Sequence, residues 1–260
     1  MCLIALAWNT HPEFALALAA NRDEFHGRPT APLQRWDGAP QVAGGRDLRE
    51  GGGWLALNDN GRFAAVTNVR EPQHAAARSR GQLIRDFVSG GADAAEYAAT
   101  VTAAGDAYGP YNLVIGDGAR LLFASNRPRP CWRTAAPGIH YISNGAIDGT
   151  WPKMRRLGAS LEQWLARQNG GEPELEPLLQ ALADERGADD AELPDTGVGL
   201  ELERRLAPPF IRGEQYGTRA SSVLLIRRDG RALLFERSFG PDKAPLGDRR
   251  VELQLPAPHP

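Results

Sequence analysis

Short apolar runs alternate with turn residues in the first part of the chain. The runs 2–8 and 14–20 flank Asn9-Thr10-His11-Pro12, a pattern typical of two buried strands joined by a tight turn. A chain that starts with a buried strand is unusual, because termini normally fray at the surface unless something ties them down. The pattern therefore predicts that residue 2 lies inside the core.

Later apolar runs repeat this arrangement. Asn58-Asp59-Asn60-Gly61 and Asp229-Gly230 are strong hairpin signals, because Asn and Gly tolerate positive φ. The first of these hairpins places Asn68 at a strand end. The strands predicted in this way cover 54–57 with 63–69, 111–115 with 120–125, 139–143, and 221–227 with 232–237.

Two pairs of helices are predicted between the strands. Ser79 is the expected N-cap of a helix over 79–88 that stops at Gly90-Gly91, and Asp93 is the expected N-cap of a helix over 93–103. The second pair is predicted over 151–167 and 174–186. The Gly-, Pro-, Arg- and Asp-rich stretch 25–53 suggests a long ordered loop, and the chain from about 241 suggests a Pro-rich tail.

The order of these elements indicates a fold class. Hairpins, a helix pair, further hairpins, a second helix pair and final hairpins suit two stacked, mostly antiparallel sheets with helices on both outer faces. We therefore expect an α+β protein with the four layers of an αββα sandwich. Sheet-rich sandwiches of about this length commonly form one folding unit, so a single domain over 1–260 is expected.

Composition excludes several classes of function. Thirty basic residues against 32 acidic ones leave no chain-wide field that would attract nucleic acid or an anionic membrane. Two cysteines are too few for a disulfide framework, and the apolar start lacks the basic leader of a signal peptide. A cytoplasmic protein without integral membrane contact is the expectation.

Cys2 is the first candidate for chemistry. If Met1 is removed during maturation, the α-amine of Cys2 lies beside its own thiol. A free α-amine titrates at roughly 7.7 to 8.0 and a thiol at about 8.5, so the amine is suited to act as a base for the sulfur. The alternative is that Cys2 is a small buried hydrophobic residue, as most free cysteines are.

A polar cluster, Asn21-Arg22-Asp23-Glu24, follows the second predicted strand. In a hairpin this end lies near Cys2. Arg22 would stabilise a thiolate electrostatically, and Asp23 would accept a hydrogen bond from the α-amine. An Arg–carboxylate network that pins the following loop explains the cluster equally well.

At this point the sequence resembles the NRDE-motif proteins, which include the transport and Golgi organisation family of animals and many bacterial members. The resemblance covers essentially the whole chain. The motifs that carry it are Met1-Cys2-Leu3-Ile4, Asn21-Arg22-Asp23-Glu24, Gly44-Gly45-Arg46-Asp47, Gly52-Gly53-Trp54-Leu55, Gly61-Arg62, Thr67-Asn68-Val69-Arg70, Ser79-Arg80-Gly81 and Ser143-Asn144-Gly145.

The resemblance implies an N-terminal-nucleophile hydrolase fold, similar to that of the choloylglycine hydrolase and penicillin V acylase group. It implies Cys2 as nucleophile and site roles for the side chains after the second strand. Amide N–H groups of two asparagines would stabilise an oxyanion. One pattern departs from those hydrolases, which have an Asp three residues after the Arg instead of next to it. The implied site residues are Cys2, Arg22, Asp23, Asn68, Asn144 and Arg219.

Each of these assignments has a plainer alternative. Asn144 precedes a glycine and is on that ground more often a turn residue, and Arg219 is equally explained as a surface cation. Gly51-Gly52-Gly53 lacks the lysine and hydroxyl residues of a phosphate-binding loop, so close backbone packing is the expected role. No metal is expected, because the histidines lack ligand spacing: His11, His26, His74, His140 and His259.

Two functions remain open. The first is hydrolysis of a small non-peptide amide through a Cys2 thioester, without a cofactor. The second, also implied by the resemblance, is binding and transfer of a hydrophobic cargo such as haem or acyl-coenzyme A, with propionates or phosphates held by Arg22, Arg46 and Arg219. Fold alone does not decide between them.

Overall fold

The computed structural model describes residues 2–38, 40–71 and 76–256. Met1, His74 and His259, which enter the predictions above, lie outside these residues. The strands are β1 (Cys2–Trp8), β2 (Phe14–Phe25), β3 (Thr30–Arg35), β4 (Val42–Asp47), β5 (Leu55–Asn58), β6 (Phe63–Asn68), β7 (Tyr111–Gly116), β8 (Leu121–Ser125), β9 (Cys131–Thr134), β10 (Gly138–Ile142), β11 (Tyr216–Arg227), β12 (Arg231–Phe239) and β13 (Pro245–Gln254). The α-helices are α1 (Arg80–Ser89), α2 (Ala94–Ala103), α3 (Pro152–Leu165), α4 (Glu176–Leu182) and α5 (Leu200–Leu206).

The strands form two antiparallel sheets that stack face to face. One sheet has six strands in the order β10-β1-β2-β11-β12-β13, and the other has seven in the order β3-β4-β5-β6-β7-β8-β9. Alternate residues of each strand point to opposite faces, so one set packs between the sheets. The other sets pack against α1 and α2 on one outer face and against α3 and α4 on the other. The predicted αββα sandwich of the α+β class is therefore confirmed.

The predicted first hairpin is confirmed, and its register decides where the polar cluster lies. β1 and β2 are antiparallel, with Leu6 opposite Leu18 and Cys2 opposite Arg22. β1 is an interior strand, because β10 pairs with its other edge. The backbone of residue 2 is thus part of a central strand, which accounts for the unbroken apolar run that follows it.

The prediction of a long loop over 25–53 is wrong, because this stretch contains β3 and β4. Its glycines are required by packing. A Cβ on Gly45 would lie 2.0 Å from the Trp54 ring, and one on Gly44 would lie 2.7 Å from the carbonyl oxygen of Leu55. Glycine normally weakens a strand, but here it lets β5 and an indole approach β4 closely.

The glycines before β5 behave as expected. A Cβ on Gly52 would lie 2.2 Å from the carbonyl carbon of Gly81 at the start of α1, and the backbone N–H of Gly53 donates to the Gly81 carbonyl at 3.2 Å. The interpretation of Gly51-Gly52-Gly53 as a close-packing segment is therefore confirmed for Gly52.

The predicted Pro-rich tail is also wrong for its first half, because β13 extends the six-stranded sheet there. Its side chains are mostly exposed, which is why no buried periodicity marks it. The short strand β9 was not predicted for the same reason, because every residue of β9 is exposed. The helix α5 was not predicted either; it buries only Glu203 and Leu206.

The predicted caps of the first two helices are confirmed. The Ser79 hydroxyl accepts from the N–H of Gly81, and the Asp93 carboxylate accepts from the N–H groups of Ala95 and Glu96, which satisfies donors that a helix start leaves open. In the described part of the chain, none of the helices has the length and apolar character needed to cross a membrane.

Candidate functional site

Cys2 is the first described residue and begins β1. The hydroxyl of Ser143 donates to its carbonyl oxygen at 3.1 Å, which fixes this strand end from the β10 side. Burial raises the pKa of the Cys2 thiol above its usual value; the charge of Asp23 raises it further, and that of Arg22 lowers it. This surrounding therefore disfavours the thiolate form of Cys2.

Arg22 lies directly opposite Cys2 and shares its face of the sheet, the face between the two sheets. It is 6% exposed. Its guanidinium stacks over the Trp54 ring at 4.3 Å from the centroid and donates to the Thr30 hydroxyl at 3.4 Å. The Glu24 carboxylate lies 3.8 Å away. The arrangement places a fixed positive charge beside the sulfur.

Asp23 points to the opposite face of β2, toward the helices, because successive strand residues alternate. It is 2% exposed, and its Oδ1 accepts from the Thr218 hydroxyl at 2.6 Å. Burial raises the pKa of this carboxyl, while the charges of Lys153 and Arg22 and the Thr218 bond lower it. Adjacent in sequence, Arg22 and Asp23 thus act on opposite sides of the sheet.

The two predicted asparagines lie together. Nδ2 of Asn144 donates to the backbone oxygen of Asn68 at 2.9 Å and to its Oδ1 at 3.1 Å. These bonds orient the Asn68 amide with Nδ2 as its remaining donor, and no described residue accepts from that group. Asn144 is fully buried, and the Ser143 hydroxyl joins it to Cys2.

Arg219 occupies a β-bulge. Thr218 pairs with Asp23 and Ala220 pairs with Arg22, so the register shifts across Arg219. A bulge re-aims a side chain, and Arg219 donates to the carbonyl oxygens of Phe25 and Arg28 and to the Thr30 hydroxyl. Its guanidinium therefore lies on the same side of β2 as that of Arg22.

A cavity of about 380 Å³ lies between the sheets at this end. Its volume falls within the usual range for small-ligand sites. Arg22 and Arg219 form part of its wall, together with the exposed Arg249 of β13. The remaining lining residues are Thr30, Pro32, Trp54, Ala220, Glu236, Ser238, Phe239, Leu246, Gly247 and Asp248.

The first residue of the NRDE motif has a different role. The Asn21 side chain donates to the carbonyl oxygens of Leu182 and Pro209 at 2.8 and 2.9 Å, and its Oδ1 accepts from the Ser221 hydroxyl at 2.7 Å. Asn21 therefore holds the helix layer to the sheet.

Arg46, which was predicted to bind an acidic group of a cargo, stacks on the Trp36 ring at 5.2 Å from its centroid.

Lys153 was not predicted from the sequence, although it is 2% exposed and interacts electrostatically with both Asp23 and Cys2. Tyr216 was missed too, although its pKa is raised well above the usual value by burial and by the charges of Asp23 and Cys2. One signal for Lys153 was available, since only two of the 30 basic Lys and Arg residues are lysines.

No three His, Cys, Asp or Glu side chains in the described ranges cluster as metal ligands. The absence of a metal from the functional site stays a prediction.

Comparison with known proteins places the chain among relatives of matching length. A sequence model of the family Transport and Golgi organisation 2 matches residues 1–241. The Transport and Golgi organization protein 2 homolog of Bos taurus is 32% identical over 260 residues, covering 92% of this chain and 93% of the relative.

Two solved structures share the fold. An N-acylethanolamine-hydrolyzing acid amidase ortholog from Caenorhabditis elegans has a TM-score of 0.51 at 11% identity and covers 86% of this chain and 92% of its own. A variant of the conjugated bile acid hydrolase from Clostridium perfringens has a TM-score of 0.54 at 7% identity, covering 96% and 92%. The chain therefore has the N-terminal-nucleophile hydrolase fold and belongs to the Transport and Golgi organisation 2 family.

Proposed function

We propose that the protein is a cysteine amidohydrolase of the N-terminal-nucleophile type that acts on a small non-peptide amide. The observation that carries this proposal is the pairing of Cys2 with Arg22 beside a cavity of about 380 Å³, with the buried Asp23 on the other side of the same strand. A nucleophile, a fixed cation and a carboxylate that can orient an amine meet at one strand end.

The proposed reaction begins after removal of Met1. Because the thiol pKa is raised, the α-amine of Cys2 has to accept the thiol proton as the sulfur attacks the amide carbonyl carbon. The S–C bond forms, the C–N bond breaks, and the proton passes to the leaving nitrogen. Water, deprotonated by the same amine, then attacks the thioester carbon; the S–C bond breaks, the acid is released, and the amine returns the proton to the Cys2 sulfur. A reducing cytoplasm, which both free cysteines favour, would keep the sulfur reactive.

Asn68 is the proposed oxyanion donor. Its Nδ2 remains as donor after Asn144 has engaged both oxygens of the residue. Asn144 then acts by holding Asn68 in place. A side-chain donor of this kind is worth roughly 3 to 4 kcal/mol in an acyl-transfer reaction.

The cavity favours an amide with an anionic group. Arg22, Arg219 and Arg249 line it, and guanidinium groups bind carboxylates and phosphates through paired, charge-assisted hydrogen bonds. All three arginines belong to the six-stranded sheet that contains Cys2, and Arg22, which lines the cavity, is the residue paired with Cys2.

The substrates named for the two structural relatives provide matched probes. We would incubate purified protein with a glycine-conjugated bile acid, which carries a carboxylate, and with a neutral N-acylethanolamine, and measure amine release and intact mass. The expected result is faster hydrolysis of the anionic amide and an acyl adduct on Cys2. Arg219→Gln should reduce the preference for the anionic amide.

The controls separate the nucleophile from its surroundings. Cys2→Ala should abolish hydrolysis, and Cys131→Ala, which removes the exposed second cysteine, should have no effect. Full activity of Cys2→Ala on an amide that the parent hydrolyses would refute the mechanism. Retention of Met1 in the purified, active protein would refute the role of the α-amine.

A second candidate function is supported by the same cavity. Three arginines facing one space also suit a cargo with propionates or phosphates, such as haem or acyl-coenzyme A. The raised thiol pKa favours this function, because a binding protein needs no thiolate.

Titration of the Cys2→Ala variant tests this second function without turnover. Saturable haem absorbance changes or heat release with acyl-coenzyme A, lost in Arg219→Gln, would support it. Flat titrations with both ligands would contradict it.

A further inference from the structure

Lys153 is a buried ammonium group in the helix layer behind Cys2. It is the second residue of α3 and is 2% exposed. Lysine side chains are almost never fully buried without a partner. α3 packs against β1, so Lys153 faces the side of the sheet on which Asp23 lies.

Two features of the sequence make a lysine here unusual. The chain uses arginine for nearly all its cations, since Lys153 and Lys243 are its only lysines. A cation in the first turn of a helix also opposes the helix dipole. Neither helix formation nor general solubility accounts for Lys153.

Its hydrogen bonding is incomplete among the described residues. Nζ donates to the Leu206 carbonyl oxygen at 2.9 Å, and its two other N–H groups find no acceptor there. A void of about 10 Å³, lined by Lys153, Arg70, Glu203 and Leu206, adjoins it, which is near the lower limit for one water molecule.

The charges that act on Lys153 come from several elements. Asp23 on β2, Cys2 on β1 and Glu203 on α5 stabilise the ammonium, and Arg70 after β6 opposes it. Burial is the largest influence and lowers the pKa of Lys153 to about 8. Glu203 forms an ion pair with Arg70, which leaves Asp23 as the carboxylate that most favours a charged Lys153.

We propose that Lys153 is a positioning residue for the Cys2 site: its ammonium, buried on the side of the sheet on which Asp23 lies, favours the ionised form of the Asp23 carboxylate, which accepts from and orients the α-amine of Cys2. The inference rests on the proposed function for its purpose. Its physical content, the coupling of Lys153 to Asp23, is measurable without any substrate.

The coupling is reciprocal, because a charge that favours ionisation of its neighbour is favoured equally in return. Above pH 8 the ammonium loses its proton and the support for Asp23 disappears. Removal of the cation should therefore move the Asp23 titration upward, and removal of Asp23 should move the Lys153 titration downward.

Two lysines make the titration of Lys153 directly observable. Protein labelled with ¹³C-lysine gives two Cε signals, and Lys243→Met assigns them. We expect the Lys153 signal to titrate near pH 8 and to move down by about one pH unit or more in Asp23→Asn, the size typical for loss of a close opposite charge. An unchanged Lys153 midpoint in Asp23→Asn would overturn the proposal.

The reverse measurement uses ¹³C-aspartate, with the Asp23 carboxyl identified by its loss in Asp23→Asn. Lys153→Met should raise the Asp23 midpoint, and Lys153→Arg, which keeps the charge, should restore it. The Lys243 ammonium donates to Glu185 and to the Ala183 carbonyl oxygen, so Lys243→Met should leave the Asp23 midpoint unchanged. An Asp23 titration midpoint that is the same in Lys153→Met and in the parent protein would refute the coupling.

These outcomes stay distinct from the fate of the amidohydrolase proposal. If the titrations are coupled but no amide is hydrolysed, the proposed reaction fails and the positioning of Asp23 stands. If amides are hydrolysed and the acid limb of the pH–rate profile does not move in Lys153→Met, the positioning role fails and the reaction stands.

Discussion

At the residue scale, the first three residues of the NRDE motif divide into two functions according to the side of β2 on which each lies. Arg22 faces Cys2 and the cavity between the sheets, whereas Asn21 and Asp23 face the helices. A motif that is contiguous in sequence therefore supplies both the site and its support. The strand period of two produces this division without any irregular backbone.

The contacts of Asn21 predict that its replacement lowers the stability of the protein. Asn21→Ala removes a buried side chain that donates to two carbonyl oxygens and accepts from Ser221, and each buried group left unpaired costs about 1 to 3 kcal/mol. We expect a fall of about 2 to 5 kcal/mol in the free energy of unfolding, measured by urea denaturation. Asn60→Ala, at an exposed turn position, should change it little; equal effects would contradict the role of Asn21.

Replacing Asn68 and replacing Asn144 should affect activity and stability in different proportions. Asn68→Ala removes the proposed oxyanion donor from a half-buried position and should lower kcat by about 10²- to 10³-fold with a small loss of stability. Asn144→Ala removes the donor to two oxygens of the half-buried Asn68 and should lower both kcat and stability. Measurement of kcat and of thermal unfolding for the two variants decides; a fully active Asn68→Ala would exclude the oxyanion role.

The residue scale also shows where sequence reasoning succeeds. Cys2, Arg22 and Asp23 were predictable because a hairpin register brings them together over about twenty residues. Lys153 reaches Asp23 through the packing of α3 on the sheet, and no local pattern encodes that contact. Its rarity in an arginine-rich chain was the available sign.

At the element scale, a buried carboxylate joins the two sheets. Glu236 on β12 accepts from the backbone N–H of Leu33 on β3 at 2.8 Å and from the Ser238 hydroxyl at 3.2 Å. β3 is an edge strand of the seven-stranded sheet, so this bond fastens its edge to the other sheet beside the cavity. Glu236 is 3% exposed.

This bond predicts a pH dependence of stability. Burial raises the pKa of Glu236 more than the Leu33 and Ser238 bonds and the Arg22 charge lower it. A carboxyl whose pKa is raised on folding stabilises the protein at low pH, and this contribution is lost as pH rises through the folded-state pKa. The protein should therefore lose stability relative to Glu236→Gln as pH rises from 4 to 8.

The measurement is urea unfolding of both proteins across that range. The difference in free energy of unfolding between Glu236→Gln and the parent should grow by about 1.4 kcal/mol for each unit by which folding raises the pKa of Glu236. Glu252→Gln, at an exposed position of β13, is the control. A constant difference between pH 4 and pH 8 would show that Glu236 titrates normally.

The strands that were predicted and those that were missed differ in burial. β1, β6 and β7 are almost wholly buried and carry continuous apolar runs, which period and composition detect. β4 is also mostly buried, but its glycines interrupt the apolar pattern by which a strand is recognised. The mostly exposed residues of β9 and β13 show no apolar pattern of a core strand. Pairing with a neighbouring strand, which sequence does not display, decides those cases.

At the scale of the whole molecule, the cavity is lined in part by residues that lie beyond the region matched by the family model. The family sequence model matches 1–241, whereas β13 lies beyond it and contributes Leu246 and Arg249 to the cavity wall. The part of the site nearest Cys2 is therefore built from the matched region, and one wall is built from a strand outside it. This division suggests that β13 adjusts which ligands fit.

Truncation after Gly240 tests this division. Loss of β13 exposes the edge of β12, whose unpaired backbone groups are a template for intermolecular pairing. We expect self-association in analytical ultracentrifugation and a weaker preference for the anionic amide, because Arg249 is lost. Truncation after Pro256 keeps β13 and should behave as the parent; a monomeric Gly240 truncation with unchanged preference would refute the role of β13.

The interior position of β1 also has a consequence for synthesis on the ribosome. The β1–β2 hairpin emerges first, yet β10 and β11, which cover its two edges, end at Ile142 and Arg227. At about 5 to 20 residues per second, roughly 10 to 40 s pass between the appearance of the hairpin and that of its last partner. Both edges of this apolar ribbon are open until β10 emerges, and the β2 edge stays open until β11 emerges. We therefore expect the newborn polypeptide to depend on chaperones until its last hairpin has left the exit tunnel.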